Sequence, residues 1–397
     1  MFEKACIPYG SGWSTPFAKW QGSLAPLHPL KLAAQSASSA LRRAGIAPDV
    51  LDGIVLGWTV PSKHSFYGAP WVAGLIGAEG ITGPMVAQAC ATSARCIDTA
   101  AQAVESGQNG TVLVLTADKC SDGPHIVYPQ PKNPGGKPDA EDWVWDNFGF
   151  DPFARGPMIQ TAENVAREAG IDRAAQEELT LIRYEQYQRA LADDRAFQKR
   201  YMLPVEINPT GRKVVGTLEA DEGIFPTTAE GLQKLRPVMP EGSVTFGTQT
   251  HPADGNAGLL ITTAERAREL STDSKITIRV RSYAEARTRK GFMAMAVVPA
   301  AEKALKLAGF EARECTIKTH NPFAVNDVYM ARQMDLAPES FNDYGSSLIY
   351  GHPQGPTGLR LIVELIEELV LKGGGRGLFA GCAAGDTAAA VCIEVAC

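Results

Sequence analysis

Four residues combine reactive side chains with neighbours that would hold them still. Cys90 lies in Gln88-Ala89-Cys90-Ala91-Thr92-Ser93-Ala94, small residues between a short strand and a helix. A thiol at a helix N-terminus meets the positive end of the dipole and several free N–H groups, which stabilise a thiolate and can bind an oxyanion. The competing reading is a small buried hydrophobe, and position alone leaves the two level. His352 lies in Gly351-His352-Pro353-Gln354-Gly355-Pro356-Thr357-Gly358, where three glycines and two prolines force a defined loop at a helix start. A general base must be held within hydrogen-bond reach of its proton, so this surround suits a base better than a capping histidine. His320, in Thr319-His320-Asn321-Pro322-Phe323, ends a β-rich run and by itself reads as a core histidine. Cys382, in Gly381-Cys382-Ala383-Ala384-Gly385-Asp386, marks a turn between two strands: either a close approach to a ligand or a plain hairpin.

Other candidates carry less. Arg287-Thr288-Arg289-Lys290 could bind phosphate but also fits a solvated basic loop, and Gly373-Gly374-Gly375 reads as a helix stop. The eight cysteines are scattered without a C-x-x-C pair, which disfavours a structural zinc site and a disulfide scaffold.

The elements that must position these residues recur. Ala40-Leu41-Arg42-Arg43-Ala44-Gly45-Ile46 returns as Ala304-Leu305-Lys306-Leu307-Ala308-Gly309-Phe310, each copy predicting a helix ended by a C-cap glycine and a β-rich run at 53–57 or 316–319. A strand at 85–87, a helix from about 92 to 105 and a strand at 111–115 follow in the first half. In the second half, Pro356 sits near N1 of a helix whose apolar face carries Leu359, Ile362, Leu365, Ile366 and Leu369, followed by strands at 377–380 and 389–395. This alternation predicts a duplicated α/β architecture. Residues 119–245 break the rhythm with a Pro/Gly/Asp-rich stretch (Pro124 to Gly136), aromatics Trp143, Trp145, Phe148 and Phe150, helical runs around 160–191 and an irregular 204–240, as expected of an insertion that covers a site.

Length and charge set the bounds. The 397 residues suffice for two or three domains, and 45% hydrophobic against 21% charged is globular composition. A net charge of −6 argues against a nucleic-acid surface. Met1 to Cys6 lack the pattern of a signal peptide, and no apolar run approaches the ~18 residues of a membrane span, so the expected setting is the cytoplasm, with no membrane partner.

Together these residues resemble the thiolases over nearly the whole chain. Ser14 to Leu24 is similar to the family's N-terminal signature, with Ser14 where an arginine is usual. Thr161-Ala162-Glu163-Asn164-Val165-Ala166 and Leu235-Arg236-Pro237 are similar to its loop-domain motifs, and 351–358 matches its strongest motif. The resemblance implies a five-layered αβαβα fold of two duplicated halves. The N-terminal half would be 1–118 plus 246–270, a coenzyme A-binding loop domain would span 119–245, and the C-terminal half 271–397. It implies Cys90 as acylated nucleophile, His352 as its base, Cys382 as the second acid/base, and His320 where many members carry the asparagine of an Asn-Glu-Ala-Phe motif. It also implies contacts to substrate or coenzyme A from Met158, Arg212, Thr250, Phe323 and Ala384, the backbone N–H groups of Cys90 and Ala384 forming an oxyanion hole. Since histidine can change charge near neutrality, His320→Asn would be expected to flatten the pH profile between about pH 6 and 8.

Departures from the family pattern bear on the substrate. Ala383-Ala384-Gly385 replaces the usual three glycines, and Thr248-Gln249-Thr250-His251 replaces Asn-Ala-Ser-Gly, Thr250 preserving a hydroxyl. With Trp143 to Phe150 and Arg287 to Lys290, these changes suggest an aromatic or carboxylated acyl group, as in the subunits that cleave 2-benzoylsuccinyl-CoA. The resemblance then implies coenzyme A as co-substrate, no metal in this chain, a homodimeric core and a small zinc-ribbon accessory subunit. The alternatives are an acetoacetyl-CoA or aliphatic 3-ketoacyl-CoA thiolase, a Claisen-condensing ketoacyl synthase, and an idle acyl-CoA-binding scaffold.

Overall fold

The repeated heptapeptide ends two helices in the same way. In the computed structural model, which describes residues 1–132 and 135–397, helices Pro29–Ala44 and Val297–Ala308 stop at Gly45 (φ 70°) and Gly309 (φ 69°), both left-handed as a C-cap requires. Each then runs through a single 3-10 turn, Pro48–Val50 or Ala312–Glu314, into a strand, Gly53–Gly57 or Cys315–His320. The duplication is therefore structural as well as sequential.

Each half builds the same sheet around that strand. Gly53–Gly57 runs parallel to Thr111–Lys119, which pairs antiparallel with Ala253–Thr262. Cys315–His320 runs parallel to Gly374–Ala383, placing His320 beside Gly381, and Gly374–Ala383 pairs antiparallel with Thr387–Ala396, which in turn pairs with Thr277–Arg287. Cys6 of the two-residue strand Cys6–Ile7 pairs with both Thr262 and Arg279, so one ladder joins the two sheets.

Helices fill the remaining layers. Pro29–Ala44 and Gly68–Leu75 cover the outer face of the N-terminal sheet, and Val297–Ala308 covers that of the C-terminal sheet. Between the sheets lie Thr92–Glu105 and Pro356–Leu371, touching strands of both. The order is α-β-α-β-α. A middle-layer helix has no solvent face, which explains why Pro356–Leu371 departs from a simple amphipathic pattern: Arg360, Glu364, Glu367 and Glu368 are buried along with its apolar side. They are paired, Arg360 with Asp221 and Glu364, Glu367 with Arg200, and Glu368 with Lys318.

Other local expectations shift by a few residues. Gly373 (φ 82°) closes the helix stop, while Gly374 and Gly375 already belong to the following strand. The 119–245 segment holds helices Met158–Glu168 and Arg173–Arg195, and its irregular 204–240 part contains the hairpin Val205–Ile207/Gly216–Leu218 and the short helix Ala229–Gln233. Within the Pro124 to Gly136 stretch, residues 133 and 134 lie outside those described.

Candidate active site

The two middle-layer helices converge at their N-termini, and the site forms there. A Cβ on Gly358 would stand 2.9 Å from the Ser93 Cβ, so only glycine lets the helices approach this closely. Ser93 Oγ also donates to the Gly355 carbonyl. Ahead of the first helix, Ala89 takes φ 45°, a costly value for a residue with a Cβ. The turn is held by Thr92, whose hydroxyl donates to the Ala89 carbonyl (2.7 Å) and accepts from the Gln88 N–H (2.8 Å). Cys90 is thereby presented toward the second half.

The His352 loop is fastened from several sides. The His352 N–H donates to the His251 carbonyl (2.9 Å), and the buried Asp118 carboxylate accepts from the N–H groups of Gly355, Thr59 and Val60 and from the Thr59 hydroxyl. Gly351 (φ 92°) leaves room for His251, whose Nε2 would lie 2.7 Å from a Cβ there. Gln354, at φ 67°, accepts from Cys90 Sγ at 3.4 Å.

Cys90 Sγ and His352 Nε2 are 3.1 Å apart, while His352 Nδ1 lies 2.6 Å from the Thr357 hydroxyl. If Nδ1–H donates to that hydroxyl, the Nε2 lone pair faces the thiol, the tautomer a base needs. The two histidine rings stack with centroids 4.1 Å apart. His320 Nδ1 lies 2.8 Å from Ser347 Oγ, and its Nε2 is buried without a partner among the described residues. Cys382 is fully buried and its sulfur accepts from Asn326 Nδ2 at 3.1 Å. All four predicted reactive residues thus meet at one seam.

Electrostatics correct one expectation. Burial pushes the Cys90 thiol up to about 12, outweighing the N–H groups of Ala384 and of Cys90 itself, which hold it down, while Asp118 adds to the rise. The helix N-terminus therefore does not produce a resting thiolate. Burial lowers His352 well below the usual histidine range, with His320 adding to the effect, and burial alone takes His320 down to about 3. The resting pair is a thiol facing a neutral imidazole. Burial and then Cys90 raise Cys382 well above an ordinary thiol, against the Asn326 hydrogen bond, so it too is protonated. The N–H groups of Ala384 and of Cys90 both bond the sulfur and so stand beside the reacting atom.

The expected binding residues are placed unevenly. Ala384 is exposed at the turn between strands Gly374–Ala383 and Thr387–Ala396. Thr250 is committed locally, its hydroxyl donating to the Ser347 carbonyl and its N–H to the Pro322 carbonyl. Phe323 is buried and bridges to Gln249. Met158 opens its helix half-buried against the core, and Arg212 is exposed on the 208–215 loop, outside the hydrogen-bond network of the cluster among the described residues. Trp143 donates to the Thr59 carbonyl, and Trp145 meets Trp20 edge-on, centroids 4.6 Å apart, while staying 42% exposed. Arg287 donates to the Gly385 carbonyl, one residue beyond Ala384, and covers Phe153; Arg289 is paired with Glu168.

Sequence reasoning missed Asn326, Asp118, Ser347 and Thr357. Thr357 lies inside the glycine-rich loop and Asn326 six residues after His320, so position offered a hint for these two. Asp118 and Ser347 come from separate segments and become visible only with the fold. Cys90 Sγ and ring nitrogens of His320 and His352 all lie within 4.8 Å of one another, the one set among the described residues with the donor chemistry and spacing to hold a metal ion.

Comparison with known proteins agrees with this geometry. Residues 11–265 match the thiolase N-terminal domain and 274–395 the thiolase C-terminal domain. The chain is 29% identical over 392 residues to the acetyl-CoA acetyltransferase of Escherichia coli K12, covering 96% of each, and 30% identical over 394 residues to the beta-ketothiolase BktB of Cupriavidus necator, covering 97% of this chain and 98% of that one. The crystal structure of human mitochondrial 3-ketoacyl-CoA thiolase superposes with a TM-score of 0.89 at 25% identity, covering 98% of this chain and 99% of that one, and the same enzyme has been solved in complex with CoA. With both family domains matched along its length and a Cys-His pair at the meeting of its two middle helices, this chain belongs to the thiolase family of CoA-dependent acyltransferases.

Proposed function

We propose that this enzyme cleaves a 3-oxoacyl-CoA through an acyl-enzyme on Cys90. The carrying observation is the 3.1 Å Cys90–His352 contact with the N–H groups of Cys90 and Ala384 aimed at the sulfur. Cys90 attacks the 3-keto carbon as its proton passes to His352 Nε2, and the two N–H groups receive the tetrahedral oxyanion. Collapse breaks the carbon–carbon bond. The departing enolate takes its proton from Cys382, and its oxygen is held by His352 and by His320, whose Nε2 donates when the Ser347 hydroxyl supplies Nδ1. Cys382 then removes the thiol proton of coenzyme A, whose thiolate takes the acyl group. A decarboxylating synthase has no use for that second thiol, and an idle scaffold has no use for the pair, which favours thiolysis over both. Segment 119–245 serves as the loop domain that holds coenzyme A, with Met158, Arg212, Thr250 and Phe323 along its path.

The acyl group we propose is carboxylated or aromatic, as in 2-benzoylsuccinyl-CoA, which would give benzoyl-CoA and succinyl-CoA. Supporting this, Arg287 has no carboxylate partner among the described residues and lies at the rim of the 383–386 turn. The packing of Trp143 and Trp145 favours a second reading, an aliphatic 3-oxoacyl substrate. We further propose a homodimer acting in the cytoplasm with a small zinc-ribbon accessory subunit; no helix among the described residues is long and apolar enough to cross a membrane. Mass spectrometry after mixing with substrate tests the nucleophile: Cys90→Ser should carry no acyl adduct, and an adduct on another residue of the parent enzyme would refute it. Thiolysis of 2-benzoylsuccinyl-CoA and acetoacetyl-CoA, with and without a co-expressed zinc-ribbon partner, tests the substrate. Rapid acetoacetyl-CoA cleavage by this chain alone would overturn both finer claims.

A further inference from the structure

The cluster offers a chemistry that acyl transfer does not require. A thiol and two imidazoles are the donor set of thiophilic divalent cations, zinc above all. Here they stand with one ligand atom each inside a 4.8 Å span. In metal sites the ring nitrogen away from the ion is tied to an oxygen, which fixes the ring and its tautomer. His352 has that arrangement already, Nε2 on Cys90 and Nδ1 on Thr357 Oγ1 at 2.6 Å, and His320 Nδ1 is likewise held by an oxygen, Ser347 Oγ at 2.8 Å, which leaves its Nε2 free to serve. Ser347 Oγ also lies 3.3 Å from Asn321 Oδ1. When the serine hydroxyl donates there, His320 Nδ1 must carry the ring proton, leaving an open lone pair on the buried, unpartnered Nε2.

The spacing is close to what an ion would impose. Zinc bonds of about 2.3 Å to sulfur and about 2.0–2.1 Å to nitrogen, set tetrahedrally, hold sulfur and nitrogen about 3.5 Å apart. Cys90 Sγ and His352 Nε2 are 3.1 Å apart, so a small opening of the pair admits the ion. The third ligand comes from His320; an asparagine amide there would be a poor donor to a soft cation.

We propose that Cys90, His320 and His352 form a binding site for a zinc-class divalent cation, and that its occupation reversibly inhibits the enzyme by holding the nucleophilic sulfur. On binding, the S–H bond breaks, one proton leaves to solvent and a metal–sulfur bond forms with no change of oxidation state. Water completes the coordination. The inhibition clause rests on Cys90 being the acyl carrier; the binding clause does not.

Cobalt(II) is the probe. Titrated into the purified full-length protein, it should give a thiolate-to-cobalt charge-transfer band at one ion per chain, bleached by added zinc, and zinc should inhibit thiolysis until EDTA restores it. The band should vanish in Cys90→Ala and after alkylation of Cys90 by iodoacetamide, which needs no variant to fold. His320→Asn should weaken cobalt binding at least about 10-fold, the low end of what even outer-sphere partners cost. A band that persists in the alkylated protein, or equal affinity in a folded His320→Asn, overturns the site. Zinc bound at Cys90 with thiolysis unaffected overturns the inhibition. If cobalt binds as expected while no acyl adduct forms on Cys90, the functional reading fails and the metal site stands.

Discussion

Cys90 and His352 meet as thiol and neutral imidazole, so in the proposed reaction nucleophile and base are made together when substrate arrives. Burial, which raises the sulfur to about 12, also makes the thiolate more reactive once it forms. In the proposed reaction Cys382 has a separate task. Its buried, protonated sulfur, held by Asn326, is placed to protonate an enolate, and transfer of a simple acyl group to Cys90 makes no enolate. Cys382→Ala should therefore still be acylated by acetyl-CoA while carbon–carbon cleavage falls by at least about 100-fold, the scale of a lost general acid. Equal loss of both half-reactions would contradict the division of labour. His320 answers differently from the expectation of a titrating histidine. With its imidazole brought down to about 3, it stays neutral across pH 6 to 8. His320→Asn should thus lower the rate without changing the shape of the pH profile over that range; a flattened profile, measured as kcat/KM, would show that it titrates after all.

Element by element, the sequence carried the framework well and the contacts across it poorly. Caps and periodicity are local: Gly45, Gly309 and Pro356 mark helix ends in their own neighbourhoods, and the strands and middle-layer helices fall within a few residues of their expected positions. Cys90 and His352 were also legible, because a small-residue turn and a glycine-proline loop constrain backbone wherever they occur. Their pairing was not, since 262 residues separate them, and it entered only through the family resemblance. The buried polar face of Pro356–Leu371 was hidden for the same reason: Asp221 and Lys318, which neutralise it, lie far away in the chain. Gly358 joins the two scales. An alanine there would press its Cβ against Ser93 and spread the helix starts that carry Cys90 and His352. Gly358→Ala should cost about 1–3 kcal/mol of stability, as overpacking does, and reduce acylation by roughly 100-fold, the loss a misplacement of about 1 Å can cause. Near-parent acylation kinetics in a destabilised but folded variant would mean that the helix spacing is not what sets the site.

Across the whole molecule, the same seam buries ionisable groups of opposite tendency, and they make stability depend on pH. Burial lowers His251, His320 and His352, so below about 6.5 the unfolded chain takes up protons that the folded one refuses, and stability is lost as pH falls. Burial raises Asp118 to about 7 and Asp254 to about 6, against the hydrogen bonds that hold each down. For these carboxyls the sign reverses. Between about pH 7 and 4 the folded chain holds protons that the unfolded one has released, so stability is gained as pH falls. In the shared window, from about pH 6 to 4, the lowered histidines and the raised carboxyls oppose each other. Each group that keeps its folded protonation state across this window contributes at most about 1.4 kcal/mol per pH unit, the value of one proton, with opposite signs for the two sets. Removing a member of either set should move the net slope in a known direction. Asp118→Asn loses a compensating carboxyl and should steepen the loss of stability on acidification, whatever its absolute stability, whereas His251→Gln should make it shallower. Urea unfolding at half-unit steps from pH 6.5 to 4.5 reads the slopes directly. Parallel curves for the parent and both variants would mean that these groups are not buried in the ionisation states the geometry gives them.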